Sequence, residues 1–274
     1  MIPLHDDQPS ATQPLVTVGI IVACAVVFLW QMTGGEEVFY SYGLIPAVLF
    51  GEATLPPDLA VIAPWMTIFT SMFMHGGFMH IAGNMLYLWI FGNNVEDAMG
   101  HTRFLVFYVL CGVAAALAQA FQAPMSEAPM IGASGAIGGV LGAYFLLHPN
   151  AKVLVVIPLG FIIHPMRIPA WIVLGLWFVF QLISGGGPDE QGGVAYWAHI
   201  GGFLAGLALV VVFKRRGVPL WNFRGPQLSV PPGFEDTQWD DHQGVRPPNT
   251  RRQRQGFFDL DPNKKHHNPF DDQR

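Results

Sequence analysis

Charge is what most of this chain lacks. Asp, Glu, Lys and Arg make up 12% of its 274 residues, and 12 of those 33 lie between positions 14 and 213, while 19 crowd into the last 61 positions. A soluble domain carries about a quarter of its residues charged. With 51% hydrophobic residues and a mean hydropathy of +0.38, the body is suited to lipid and the tail to water. Cysteine is nearly absent too. Cys24 and Cys111 each fall midway through an apolar run, which excludes a disulfide framework or a thiolate metal pair and leaves packing as their role. The opening stretch MIPLHDDQPSATQP has no basic leader, and no small-residue cleavage site comes directly after the first apolar run. The first apolar run is therefore expected to be retained as a span. Period-2 alternation is missing from the apolar segments, which excludes a transmembrane β-barrel.

What is present is a set of six apolar segments, at about 14–33, 79–99, 103–123, 133–148, 168–184 and 196–213, against the roughly 20 residues needed to cross a bilayer. An even number of spans puts both ends on one side. Arg103, Lys152, Arg167 and the Lys214-Arg215-Arg216 run all fall in connections of one parity, and the opposite connections, 34–78, 124–132 and 185–195, hold no Lys or Arg. That asymmetry places both termini in the cytoplasm, and a bacterial plasma membrane is the expected home. The fold class expected is an all-α polytopic membrane protein, a six-transmembrane-helix bundle. Its long first loop, 34–78, is half apolar and lies along the interface. The expected organisation is a cytoplasmic segment 1–13, a membrane domain 14–216, and a disordered cytoplasmic tail 217–274 rich in Pro, Gln, Gly and Asp.

Inside this apolar body, MIGASGAIGG carries one hydroxyl, Ser134. Span four runs from Ser134 to about Leu147, where His148-Pro149 breaks it, and 1.5 Å per residue gives about 21 Å of helix against a core of about 30 Å. With its lower end held by the loop carrying Lys152, Ser134 lies below the outer surface. The same arithmetic from His199 to the Lys214 anchor puts His199 at similar depth. His80 and Asn84 lie one helical turn apart near the outer end of span two. Ser134, Gly138 and Gly142 repeat at four-residue spacing, as do Ala198, Gly202 and Gly206, so spans four and six are expected to pack closely through small residues.

A lone serine among glycines more often packs helices than attacks a bond, and a lone intramembrane histidine is usually structural. Here several costly polar groups converge on one level, which marks a site. A serine hydroxyl needs a base, and His199 is the candidate. The oxyanion would be held by the N–H of Ser134 at a helix N-terminus, with His80 and Asn84 as further donors. The Gly-rich segments 132–135, containing Gly132 and Gly135, and 191–193 suit irregular backbone lining a wet cavity. No Asp or Glu lies in the outer third of spans two, four or six to orient His199, so a dyad is expected. His75 reads equally as a helix-end structural group. The five-residue spacing of His75 and His80 does not put two imidazoles on one helical face, so no metal is expected, and no other cofactor.

In HGGFMHIAGNM, GNNVEDAMG, GASG around Ser134 and AHIGGFLAG around His199, the chain resembles the rhomboid intramembrane serine proteases, over about residues 15–215. The resemblance implies Ser134 as nucleophile and His199 as general base and acid. It implies His80, Asn84 and the Ser134 N–H as oxyanion stabilisers, and Glu96 as a structural glutamate tying down the inner end of span two. The implied partners are single-span membrane proteins, cut in or near the outer part of their membrane segment, and the bilayer itself. Nucleic acid is not among them. Access past span five, with the 185–195 loop as a cap, is also implied. Two positions depart from the family pattern: Trp65 is followed by Met66 rather than arginine, and Gly138 stands where a tyrosine often stacks on the base. The alternative reading is a non-catalytic membrane-protein binding or chaperone protein on the same scaffold. A transporter is disfavoured, because no inverted repeat is evident.

Overall fold

The computed structural model describes residues 2–159, 162–186 and 194–221, and all statements of structure refer to these. The chain opens with strand β1 (Ile2–Asp6) and helix α1 (Leu15–Gln31). The long first connection holds three short helices, α2 (Glu37–Tyr42), α3 (Pro46–Phe50) and α4 (Thr67–Thr70), with single 3-10 turns around α4. Helices α5 (Phe78–Met99), α6 (His101–Gln122) and α7 (Ser134–Leu147) follow, then strands β2 (Lys152–Leu159) and β3 (Ile162–Pro169), and finally α8 (Ala170–Gly185) and α9 (Tyr196–Phe213).

The long helices begin and end where punctuation residues require it. Gly76-Gly77 precede α5, Gly100 at φ 84° separates α5 from α6, and Pro169 stands directly before α8. Two of the helices, α6 and α9, are both long and apolar enough to cross a membrane, while α1, α7 and α8 are apolar but shorter. Helix α5 has the length, but it carries Glu96, Asp97 and three asparagines.

The expectation of an all-α chain is corrected by a three-stranded antiparallel sheet in the order β1-β2-β3. Val153 and Val155 of β2 are fully buried, and Leu154 and Val156 only partly. Every β2 residue from Val153 to Leu159 is apolar, so alternation in burial leaves no alternation in residue type. The N-terminal strand folds back on β2, with Ile2 opposite Val156 and Asp6 opposite Val153. Asp7 donates its N–H to the carbonyl of Lys152 at 3.1 Å, and its carboxylate accepts the N–H of Lys152 at 2.7 Å.

Helix α7 is the core of the bundle, with every residue from Gly135 to Tyr144 buried. The expected pairing of spans four and six is present as α7 on α9. A methyl group on Gly202 would collide with the Gly135 carbonyl, and one on Gly206 with the Gly139 carbonyl. Gly138 fits beneath the carbonyl of His199, 3.0 Å from where its Cβ would stand, and Gly142 lies against Phe203. Two adjacent glycine rows of α7 thus serve the contact, one more than the four-residue spacing from Ser134 suggested.

The inner end of α5 fastens the chain's start. Helix α1 begins after Pro14 with no side-chain cap of its own. The buried Glu96 carboxylate supplies the cap from 80 residues away: it accepts the N–H of Val16 at 2.9 Å, the N–H of Thr17 at 2.8 Å and the hydroxyl of Thr17 at 2.7 Å, with His101 Nδ1 at 2.6 Å. Asp97 beside it accepts from the Ala11 N–H and the Thr12 hydroxyl, and pairs with Arg215 after α9. Cys24 and Cys111 are buried free thiols; Cys111 packs against Gly139. Of the tail 217–274, residues 222–274 lie outside the described residues, and so does most of the 185–195 loop.

Candidate active site

Ser134 is the first residue of α7, and His199 lies one turn inside α9. Because glycine carbonyls and Cα atoms let these helices nest, the two side chains meet: Ser134 Oγ lies 2.8 Å from His199 Nε2. The chain enters α7 through Gly132 at φ 132°, a conformation that favours glycine. The N–H of Gly132 donates to the carbonyl of Ser71 at 2.9 Å. That bond ties the strained turn to the first loop, as does the pairing of Leu44 with Met130.

His80 stands on the opposite wall. Its Nε2 would be 2.8 Å from a Cβ on Gly132, and the same point is 3.5 Å from Ser134 Oγ. His80 Nδ1 accepts the backbone N–H of Gly76 at 3.3 Å. A neutral imidazole that accepts at Nδ1 carries its proton on Nε2, so the N–H points into the site. Asn84, one turn further along α5, is buried, and its Nδ2 has no partner among the described residues. His75 is fully buried with its ring edge-on to His80 at 5.2 Å. The side-chain amide of Gln31 clamps the backbone of His75, donating to its carbonyl and accepting its N–H at 3.1 Å. His75 thus supports His80 rather than lining the site.

Ser134, His199 and His80 share the lining of a cavity of about 670 Å³, which also touches Gly76, Gln119 and Ser126. That volume is within the range of small-molecule binding sites. Asn84 is set back from this lining. Glu96 is at the other end of α5, in the cap described above. Trp65, in the first loop, is 61% exposed and packs edge-on against Phe69.

Sequence reasoning missed three residues here. Gln181 of α8 places its Oε1 2.8 Å from His199 Nδ1. Trp177, one turn earlier, sets its ring 5.8 Å from the imidazole at 34°. Gln119 was missed as well; its Oε1 accepts the N–H of Ala198 at 3.2 Å and fixes the start of α9. Gln181 and Gln119 are amides in apolar runs, the signal by which intramembrane polar groups mark function.

Fold and site together are those of a helical membrane protein with a serine–histidine pair at a glycine-lined helix contact. Residues 63–216 match the Rhomboid domain family, and the chain belongs to that family. Rhomboids are integral membrane proteins and typically serine proteases. Among its relatives are the rhomboid protease GluP of Bacillus subtilis, 32% identical over 75% of this chain and 36% of its own, and the mitochondrial rhomboid protein 1 of Saccharomyces cerevisiae, 30% identical over 66% of this chain and 54% of its own. RHOMBOID-like protein 5 of Arabidopsis thaliana is 31% identical over 62% of this chain and 50% of its own. The chain spans about half the length, or less, of these curated relatives.

Proposed function

We propose that this chain is an intramembrane serine endopeptidase that cuts single-span membrane proteins in or near the outer part of their membrane segment. The observation that carries the reading is the 2.8 Å approach of Ser134 Oγ and His199 Nε2 across the contact of α7 with α9. Ser134 attacks the scissile carbonyl as its proton passes to His199 Nε2. The negative oxygen that develops is held by the Ser134 N–H at the start of α7 and by His80 Nε2–H. The unpartnered amide of Asn84 is the third donor, and each such donor is worth about 10²–10³ in rate. His199 then gives the proton to the leaving amine, and water from the cavity repeats the sequence to release the acyl group.

The site's placement follows from six spans, α1 and α5 to α9, with both termini on the cytoplasmic face of a bacterial plasma membrane. The basic residues between and after the helices support that orientation. Large apolar side chains on outward faces, such as Val22, Leu29, Trp89, Phe180 and Val212, are 54%, 66%, 55%, 58% and 76% exposed, a surface suited to lipid. Residues 1–13 and 217–274 flank the membrane domain 14–216. The chemistry requires no metal or other cofactor.

The test is cleavage of a reconstituted transmembrane substrate, run beside labelling by a fluorophosphonate probe. Wild type should cleave and label, and Ser134→Ala should do neither while remaining folded. Substrate binding without cleavage or labelling in wild type would replace the enzyme with a non-catalytic binding protein.

A further inference from the structure

We propose that Gln181 is a positioning residue for the base. It accepts the Nδ1–H of His199 and holds the imidazole in the tautomer whose Nε2 lone pair faces Ser134, the place a carboxylate takes in soluble serine proteases. The inference rests on the serine–histidine reading above and deepens it.

Gln181 is 4% exposed, about three-quarters of the way along α8. Its amide can face His199 in two ways, and a second contact selects one. The Gln181 NH2 group donates to the carbonyl of Trp177 at 3.3 Å. Turned over, the amide would set its oxygen against that carbonyl and lose the bond. The oxygen is therefore the atom 2.8 Å from His199 Nδ1, and an acceptor there demands a proton on Nδ1. A neutral imidazole has only one. Nε2 is left bare, 2.8 Å from the hydroxyl it must deprotonate.

Trp177 serves twice, fixing the amide through its carbonyl and covering the imidazole with its ring. It also packs on Phe203 at 6.1 Å, and Phe203 stacks on Phe178 at 4.4 Å, so α8 is held to α9 beside the base. When His199 takes the serine proton, the Nδ1–H bond to Gln181 becomes charge-assisted and shortens, stabilising the transient imidazolium. An amide does this without placing a permanent charge in the apolar bundle, where ionised groups are costly. The outcome is that α8, which supplies neither member of the dyad, sets the protonation pattern of its base.

The full-length protein in proteoliposomes provides the test, with Gln181→Met, which keeps the shape and removes the acceptor, and Gln181→Glu. In wild type, nitrogen-15 NMR of labelled histidine should show His199 protonated at Nδ1; in Gln181→Met the two tautomers should mix. Against a transmembrane substrate, Gln181→Met should lose about tenfold in kcat with KM within about twofold, the scale of one hydrogen bond. Gln181→Glu should keep activity and move the acid limb of the kcat profile up by about one pH unit, because a carboxylate stabilises the imidazolium. A wild-type His199 protonated at Nε2, an unchanged kcat in Gln181→Met, or an acid limb unmoved in Gln181→Glu would each overturn the assignment. The NMR readout needs no turnover, so it judges Gln181 even if the protease reading fails.

Discussion

The Cα of Gly202 on α9 rests against the carbonyl oxygen of Gly135 on α7, with no room for a methyl group between them. Ser134 precedes Gly135, and His199 lies three residues before Gly202, so this backbone contact sets the spacing of the dyad. Gly202→Ala must push the helices apart, costing about 1–3 kcal/mol in stability and stretching the bond from hydroxyl to imidazole. We expect a lowered Tm and at least about tenfold loss of cleavage. The control is Gly19→Ala, on α1 with open space around it; it should be neutral or slightly stabilising, since alanine favours helix by about 1 kcal/mol. Equal losses in both variants would detach the glycine contact from the chemistry.

Gly132 invites a different substitution. Its φ of 132° disfavours any side chain, and a Cβ there would stand 2.8 Å from His80 Nε2. Gly132→Ala should fill the space meant for the developing oxyanion. Loss of about 10²-fold or more in kcat is expected, the scale of one oxyanion donor, with a global fold kept intact because the position is at a loop end. Retained kcat in a folded variant would move the oxyanion pocket elsewhere.

How much of this was legible beforehand differs by element. The apolar segments 79–99 and 196–213 are the helices Phe78–Met99 and Tyr196–Phe213, because long apolar runs bounded by glycine, proline or charge leave few other choices. The meeting of Ser134 and His199 followed from helix rise and small-residue spacing, both local properties. The β1-β2-β3 sheet was not legible. Its first strand finds its partner some 150 residues away, and its second is apolar at every position from Val153 to Leu159. Gln181 escaped because the search for an orienting group was confined to carboxylates and to spans two, four and six, whereas α8 approaches the ring from the side.

Glu96 carries a stability prediction. Its carboxylate closes two orphan N–H groups at the start of α1 and the Thr17 hydroxyl, all within 2.9 Å. Glu96→Ala leaves those buried donors without acceptors and should cost about 3 kcal/mol. Glu96→Gln keeps an acceptor oxygen and should recover about half. Because the cap lies at the opposite end of α5 from His80, kcat measured below the lowered Tm should stay within about threefold of wild type. A large fall in kcat with unchanged Tm would mean that the carboxylate acts at the site.

The last prediction concerns pH at the far end of α7 from Ser134. There the Tyr144 hydroxyl donates to the Asp6 carboxylate, and the Tyr144 ring lies 5.1 Å from that of His148. Burial pushes the Asp6 carboxyl from 3.8 up to about 6, against the pull of the Tyr144 hydroxyl. Folded Asp6 binds its proton more tightly than the unfolded chain does, so its contribution favours folding below about pH 4 and is lost as pH rises through 6. Asp6→Asn, which can still accept from Tyr144, removes that slope, and its stability should fall by about 2 kcal/mol relative to wild type on acidification from pH 7 to 4.5. Thermal unfolding of the detergent-solubilised protein at four pH values between 4.5 and 7.5 reads the slope, and a variant curve running parallel to wild type would show that Asp6 does not titrate with the fold.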